Sequence, residues 1–176
     1  DAHVEQHLCP ACGMPLLARY DLKAARAWKK DSLAARVPNM WRYRELMPLF
    51  DGEQPITLGE GWTPLIHATR LGAELGLERL FVKDESLNPT NSFKARGLAA
   101  AVTKASHLGA KTLSVPSAGN AANAMAAYAA AAGLAAKVFM PKDVKVPFIR
   151  ECELYGADVN LVDGLITDAG RIAAEM

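Results

Sequence analysis

The sequence predicts an α/β fold, in which an open parallel sheet is flanked by helices on both faces. Three observations support this class: from residue 56 onward short apolar runs alternate with helical stretches, the connections between them are short, and several of the helical stretches end at a glycine. Strands that alternate with helices in this way form βαβ units. Because crossovers between parallel strands are right-handed, we expect helices on both sides of the sheet.

Four strands are predicted, at residues 80–83 and within the runs KTLSVP, AKVFMP and DVNLVD. After the first strand, Ser92 predicts the cap of a helix that runs to about Leu108 and ends at Gly109. The next helix, in GNAANAMAAYAAAAG, is apolar nearly all round, so it should pack closely against the sheet or a second domain. Two more helices are predicted in VPFIRECELYG and ITDAGRIAAEM.

Residues 1–55 differ in character from residues 56–176, which form the predicted α/β region. The first part contains the run CPACG, scattered prolines and several basic residues, and its helical and strand periodicities are weak. It therefore predicts an arm or a small appended module. Within it we expect short strands near residues 16–20 and a helical piece near residues 22–30.

The CPACG run resembles one knuckle of a zinc ribbon, with Cys9 and Cys12 as its two thiols. A structural zinc site needs four ligands, and the sequence has no second CxxC motif. His3 and His7 are the nearest further candidates. We favour free or half-buried thiols over bound zinc, and we keep zinc at Cys9 and Cys12 as the alternative. Cys152 lies in an apolar helix and is predicted to be a core residue.

Composition and charge exclude several classes of function. The net charge is +1, which gives no basic field for nucleic acid or a membrane surface. No apolar run approaches the roughly 20 residues of a membrane span, and DAHVEQHLCP is not a secretion signal. The 3 cysteines do not predict a disulfide framework, so a reducing cytoplasm is the expected location.

Two loops are expected at the carboxyl ends of strands, where open α/β sheets bind ligands. They are DESLNPTNSFK and PSAGN, and each leads into a helix N-terminus, where free N–H groups and the helix dipole favour an anion. Lys94 falls in the first turn of its helix. The dipole disfavours a cation there by about 0.3–1 kcal/mol, so the neutral, nucleophilic amine is favoured. A solvated surface lysine is the alternative. Lys83, Asp84 and Glu85 are predicted to be ordinary loop charges, with a role of Asp84 or Glu85 in positioning a substrate group as the alternative.

Four motifs carry a resemblance to a known family. NPTNSFKARG is similar to the lysine motif of the fold-type II (tryptophan synthase beta-like) pyridoxal-phosphate enzymes, and PSAGNAA to the asparagine loop that follows it. MWRYRELMPL and LGEGWTPL resemble the N-terminal segments of the threonine synthases and their close relatives. The motifs occur in the family's order, and the resemblance covers the chain from residue 9 onward.

The resemblance implies roles for individual residues. Lys94 would be the catalytic Schiff-base lysine of a pyridoxal 5'-phosphate cofactor, Phe93 would lie beside the cofactor ring, and Asn120 would bind its phenolic oxygen. The loop that receives the carboxylate of the amino-acid substrate would comprise Ser117, Gly119 and Ala121. The implied reaction is a lyase reaction that converts O-phosphohomoserine and water to threonine and phosphate. A homodimer is the implied assembly.

Three residues depart from the family pattern. Asn91 replaces a usual glycine, Ala95 replaces an aspartate found in many threonine synthases, and Ala121 replaces a threonine of many members. Asparagine tolerates left-handed backbone geometry, so the turn at residue 91 is expected to survive. The departures leave a threonine or serine dehydratase, or a cysteine synthase-like enzyme of the same fold, as the alternative function.

The end of the chain predicts an incomplete fold. The sequence stops at GRIAAEM, inside a predicted helix, and contains no GGGG-like segment. In the family, the glycine-rich phosphate loop and the hydroxyl residue that faces the pyridine nitrogen come later in the chain. We therefore expect a protein truncated before its second half, and a non-catalytic fragment is a further alternative.

Overall fold

The computed structural model describes residues 2–6 and 8–175. The α-helices are α1 (Leu22–Ala25), α2 (Lys30–Ala34), α3 (Thr69–Leu75), α4 (Lys94–His107), α5 (Asn120–Ala132), α6 (Val146–Leu154) and α7 (Ile166–Ala174). The strands are β1 (Leu65–His67), β2 (Phe81–Lys83), β3 (Thr112–Pro116), β4 (Ala135–Pro141) and β5 (Asp158–Val162). Short 3-10 helices lie at Met40–Leu46, Glu85–Leu87 and Pro89–Asn91.

Three of the predicted strands form a parallel sheet in the order β3-β4-β5. Thr112 of β3 is level with Ala135 of β4, and Pro141 of β4 is level with Val162 of β5. The helices α5 and α6 connect these strands, as parallel pairing requires. The predicted α/β class with a parallel sheet is therefore confirmed.

The first predicted strand does not belong to this sheet. It begins at Phe81 and pairs antiparallel with β1 in a separate two-stranded sheet, in which Leu65 is opposite Lys83. The prediction of a βαβ unit that runs from residues 80–83 through α4 to β3 is therefore wrong. An apolar run predicts a strand but not its partner, and β1 is only 3 residues long, too short to show a strand period.

Helices cover both faces of the parallel sheet, as predicted. Alternate residues of a strand point to opposite faces. Val138 and Met140 of β4 pack in one cluster with Ala126 of α5 and Cys152 of α6, which confirms the core position predicted for Cys152. Phe139, between them, packs with residues of β5 and α7 on the other face.

Helix α5 packs against the sheet as predicted, because Ala126 lies in one cluster with Val138 and Met140 of β4, and on another side it carries α4, which packs chiefly against it. Ala95, Ala99 and Val102 of α4 are buried in one cluster with Tyr128 of α5. Small side chains let the two helix backbones approach each other, so the position of α4 is fixed by α5 rather than by the sheet. Trp41 of the first 3-10 helix lies in the same cluster.

The N-terminal part has less regular structure than predicted. Residues 16–20 form no strand, and the pairing nearby is a single antiparallel bridge between Leu8 and Pro15. The helical piece expected at residues 22–30 is instead two short helices: Asp21 caps the start of α1 through the N–H groups of Lys23 and Ala24, α1 ends at Ala25, and α2 begins at Lys30 without a side-chain cap. None of the helices in the described part of the chain has the length and apolar character that crossing a membrane requires.

Candidate active site

Lys94 is the first residue of α4, and its surroundings agree with the cap predicted at Ser92. Ser92 is buried and extended, with φ −154°, and its Oγ accepts a hydrogen bond of 3.1 Å from the N–H of Lys94. The carbonyl of Ser92 accepts from the N–H of Ala95. Phe93 already has helical dihedral angles. Ser92 thus satisfies N–H groups that a helix start leaves free, and Lys94 lies in the first turn as predicted.

The side chain of Lys94 lies against an aromatic ring. Its Nζ is 4.9 Å from the centroid of the Phe93 ring. Lys94 is half-buried, whereas Phe93 is 58% exposed. An ammonium group over an aromatic face gains about 0.5–1 kcal/mol at an exposed site. Phe93 and Lys94 are neighbours in the sequence, and the structure shows that the amine of one contacts the ring of the other.

The segment before Lys94, residues 84–93, is called the lysine loop here. It turns through two left-handed residues, Thr90 with φ 57° and Asn91 with φ 52°. Asparagine adopts this conformation readily, so the turn expected at Asn91 is present. Threonine does so rarely, and the Thr90 Oγ1 is buried without a hydrogen-bond partner among the described residues.

An ion pair spans the lysine loop, and we call it the Arg96–Glu85 clamp. Arg96 donates from Nε to Glu85 Oε2 at 2.6 Å and from Nη2 to Oε1 at 2.8 Å. Thr63 Oγ1 donates to Glu85 Oε1 at 2.6 Å, and Asn88 Nδ2 donates to Oε2 at 2.9 Å. The Arg96 guanidinium lowers the pKa of Glu85 to about 2. Glu85 is therefore not the ordinary loop charge expected from sequence.

Asp84 and Lys83 also have local partners. Asp84 Oδ1 accepts from the N–H of Ser86 at 3.0 Å and so caps the 3-10 helix Glu85–Leu87. Lys83 donates from Nζ to the carbonyl of Thr63 at 2.5 Å. Both contacts hold the chain where β2 leads into the lysine loop.

Glu60, in the LGEGWTPL motif, is a buried carboxylate that sequence analysis missed. It is 0% exposed, and it accepts hydrogen bonds of 2.5 Å from Trp41 Nε1 and from the Tyr128 hydroxyl. Burial, and next the bond to Glu60, raise the pKa of Tyr128. The adjacent Gly61 donates its N–H to Asn88 Oδ1 at 3.0 Å. Glu60 therefore connects the first 3-10 helix and α5 to the lysine loop.

The predicted substrate loop follows β3 directly. The N–H of Ser117 donates to the carbonyl of Phe139 at 3.1 Å, which fixes the loop at the carboxyl edge of the sheet. α5 then begins at Asn120, which is exposed, with Gly119 before it and Ala121 after it. Gly119 gives α5 no side-chain cap, and the first turn holds no acidic residue. The N–H groups at this helix start are therefore suited to an anion.

The two loops meet through α5. The 3-10 helix Pro89–Asn91 contacts α5, and α4 packs along it. The structure thus places the turn that precedes Lys94 against the helix that Asn120 begins. The lysine loop follows β2, which lies outside the parallel sheet, so the prediction that both loops lie at the carboxyl edge of one open sheet is wrong for this loop, which approaches the other loop through α5 instead.

Cys9 and Cys12 lie in the N-terminal region, outside this arrangement. Both are free thiols, with Cys9 half-buried and Cys12 exposed. Hydrogen bonds from the N–H groups of Ala11 and Cys12 lower the pKa of the Cys9 thiol. No group of three or more potential metal ligands occurs among the described residues, and His7 lies outside them. Zinc at these thiols stays a prediction.

Comparisons with known proteins identify the family of the chain. A family model described as pyridoxal-phosphate dependent enzyme matches residues 56–176. The chain belongs to this family. It is also 35% identical over 93% of its length to the threonine synthase of Methanosarcina acetivorans, and 43% identical over 72% to that of Synechocystis sp.. It spans 40% and 34% of those two relatives.

Solved structures support the fold. The chain is 29% identical to threonine deaminase isoform 2 of Solanum lycopersicum, with a TM-score of 0.57 over 64% of this chain and 31% of that one. Maize serine racemase, at 24% identity, has a TM-score of 0.59 over 64% of this chain and 34% of that one. Family membership confirms that pyridoxal phosphate is the cofactor and that the protein is of an enzyme family. The predicted resemblance to threonine synthases is also confirmed.

Proposed function

We propose that this chain is part of a pyridoxal-phosphate dependent lyase that converts O-phosphohomoserine and water to threonine and phosphate. The observation that carries the proposal is Lys94, a half-buried amine in the first turn of a helix, in contact with the ring of Phe93. The similarity to threonine synthases, at 35–43% identity in the two relatives above, supports the substrate. A homodimer in the cytoplasm is part of the same proposal.

The residues present fit the cofactor. Lys94 supplies the amine that would hold it, Phe93 supplies an aromatic face beside that amine, and Asn120 supplies a side-chain amide at the neighbouring helix start. When bound, pyridoxal phosphate supplies the electron sink for charge that develops on the substrate. In the proposed reaction the amine of Lys94 would take protons from the α- and β-carbons of the substrate and return them at the α- and γ-carbons, while phosphate leaves from the γ-carbon and water adds its hydroxyl at the β-carbon.

The substrate carboxylate is assigned to the start of α5. Ser117, Gly119 and Ala121 surround N–H groups that carry the positive end of the helix dipole. A Cβ built on Gly119 would be 3.8 Å from the Phe148 ring, so the protein itself leaves room for a side chain there. We infer that glycine serves the close approach of a ligand to the backbone.

Chemical trapping tests the role of Lys94. The intact protein would be loaded with pyridoxal phosphate, reduced with borohydride and mapped by peptide mass spectrometry, and phosphate release from O-phosphohomoserine would be assayed in parallel. Lys104 is a matched control, because it also lies in α4 and its Nζ is 3.7 Å from the Phe50 ring centroid. We expect Lys94→Ala to abolish both signals and Lys104→Ala to retain them. Label spread over many lysines would contradict the proposal.

A dehydratase acting on threonine or serine is the second candidate. The similarity to the tomato threonine deaminase supports it, as does Ala121, which lacks the hydroxyl found at this position in many threonine synthases. The two candidates differ in product. Release of phosphate from O-phosphohomoserine would favour the first, and formation of a 2-oxo acid from threonine or serine would favour the second.

A further inference from the structure

We propose that Arg96 and Glu85 are positioning residues for Lys94: their ion pair closes the lysine loop and sets the direction in which the lysine amine points. The inference rests on the proposed function of Lys94. Neither residue touches Lys94 through a hydrogen bond that the structure shows, so the effect would pass through the backbone of the first turn of α4.

The Arg96–Glu85 clamp joins the two ends of the loop. Glu85 precedes the turn and Arg96 follows it, and the two hydrogen bonds between them are 2.6 and 2.8 Å long. Two parallel bonds between a guanidinium and a carboxylate fix orientation as well as distance. The segment between the partners, which includes Lys94, is thereby held at both ends.

The lysine loop needs this external support. Thr90 and Asn91 are both left-handed, and for the β-branched Thr90 this conformation is rare, so the surroundings must impose it there. Asn88 lies between Glu85 and this turn and donates from Nδ2 to both the carbonyl and the carboxylate of Glu85, at 3.0 and 2.9 Å. The clamp therefore supports the turn at Thr90 and Asn91, which the conformational preferences of its own residues do not fully stabilise.

The clamp is also anchored to the rest of the protein. Thr63 donates to Glu85 at 2.6 Å, and the carbonyl of Thr63 accepts from Lys83. Glu85 thus accepts from Arg96, Thr63 and Asn88, which together occupy both of its oxygens. Because both oxygens of the Glu85 carboxylate accept hydrogen bonds, this side chain has little freedom to change its orientation.

Helix geometry connects the clamp to the lysine. Residues two apart in a helix are about 200° apart around its axis, so Arg96 and Lys94 project from nearly opposite sides of the first turn. Arg96 points to Glu85, and Lys94 consequently points away from it, toward Phe93. A change in the clamp would rotate this turn and move the lysine Nζ.

The test compares Arg96→Lys with Arg171→Lys in the intact protein. Lysine keeps the charge but loses the two-pronged geometry of arginine. Arg171 is the matched control, because it forms an exposed ion pair with Glu175 at 3.0 Å, far along the chain in α7. The readouts are the rate of borohydride-trapped labelling of Lys94 by pyridoxal phosphate, its dependence on pH, and the melting temperature.

We expect Arg96→Lys to slow Lys94 labelling at least tenfold and to shift its pH profile, while Arg171→Lys leaves both unchanged. Glu85→Gln, which keeps the size of the side chain, should act in the same direction. Unchanged labelling of Lys94 in Arg96→Lys and Glu85→Gln would overturn the inference. A decrease in labelling that is fully explained by the fraction of unfolded protein in these variants would also overturn it. Wild-type label spread over many lysines would instead overturn the proposed function, and the positioning role with it.

Discussion

Replacement of Glu60 by glutamine should destabilise the protein strongly, because its carboxylate serves four donors in a site closed to water. Oε1 accepts from Trp41 Nε1 at 2.5 Å and from Thr57 Oγ1 at 3.0 Å. Oε2 accepts from the Tyr128 hydroxyl at 2.5 Å and from the N–H of Leu58 at 3.0 Å. Two of these donors, the indole and the backbone N–H, cannot act as acceptors.

Glutamine cannot satisfy this set in either orientation of its amide. With its oxygen toward Trp41, its NH₂ group faces the N–H of Leu58; with the amide flipped, the NH₂ group faces the indole N–H. One buried donor is therefore always unpaired, which costs about 1–3 kcal/mol. The remaining bonds also lose the contribution of the charge. We expect the free energy of unfolding to fall by about 2–4 kcal/mol in total.

Equilibrium unfolding in urea, followed by tryptophan fluorescence, measures this change. Glu153→Gln is the matched control, because Glu153 is exposed and its carboxylate forms an ion pair with Arg150 three residues earlier, at 2.7 Å. Such surface pairs contribute about 0–1 kcal/mol. A Glu60→Gln variant whose unfolding free energy equals that of the wild type would refute the reasoning, since it would mean that the four donors do not depend on a carboxylate.

Three further predictions concern other residues. The pKa of Glu85 is lowered from 4.5 to about 2, so the ionised Glu85 stabilises the folded protein above pH 4.5 and this stabilisation is lost as the pH falls toward 2. In urea unfolding, the difference in unfolding free energy between wild type and Glu85→Gln should therefore become smaller from pH 4.5 to pH 2. A difference that stays constant over this range would contradict the prediction. Asn91 has a left-handed φ of 52°, which glycine adopts without strain and valine does not. Asn91→Gly should therefore change the unfolding free energy by less than about 1 kcal/mol, and Asn91→Val should lower it by more than about 1 kcal/mol, as urea unfolding of the two variants would measure. Burial raises the pKa of the Cys152 thiol to about 11. A thiol reagent at pH 8 should therefore modify Cys9 and Cys12 in the folded protein, and Cys152 only after unfolding. Rapid modification of all three cysteines in the folded protein would contradict the burial of Cys152.

The parts of the fold that sequence predicted are those fixed by nearby residues. Ser92 marks the start of α4 because its own hydroxyl accepts from a backbone N–H two residues later. Gly133 ends α5 in the left-handed conformation that glycine adopts without strain. The three parallel strands were also found, since each lies between a helix end and a loop rich in turn-forming residues. In all of these cases the cause and the effect lie within a few positions.

Long-range partners were not predictable in this way. The strand period of β2 is the same whether its neighbour is β1 or β3, so nothing local indicated the antiparallel pair. Glu60 reads as a loop acid, and its burial depends on Tyr128, which is 68 positions away in the sequence. Arg96 likewise reads as a surface charge on α4 until the lysine loop folds back to meet it.

The candidate site also depends both on residues close in the sequence and on distant ones, so the lysine motif alone does not define it. Ser92 and Phe93 act on Lys94 from within the motif, by capping its helix and by contact with its amine. The orientation of that helical turn depends on Glu85 and on Thr63, which lie outside the motif. The NSFK sequence at another helix start would therefore place a lysine in a first turn without directing its amine. A working site requires the motif together with the segments that hold it.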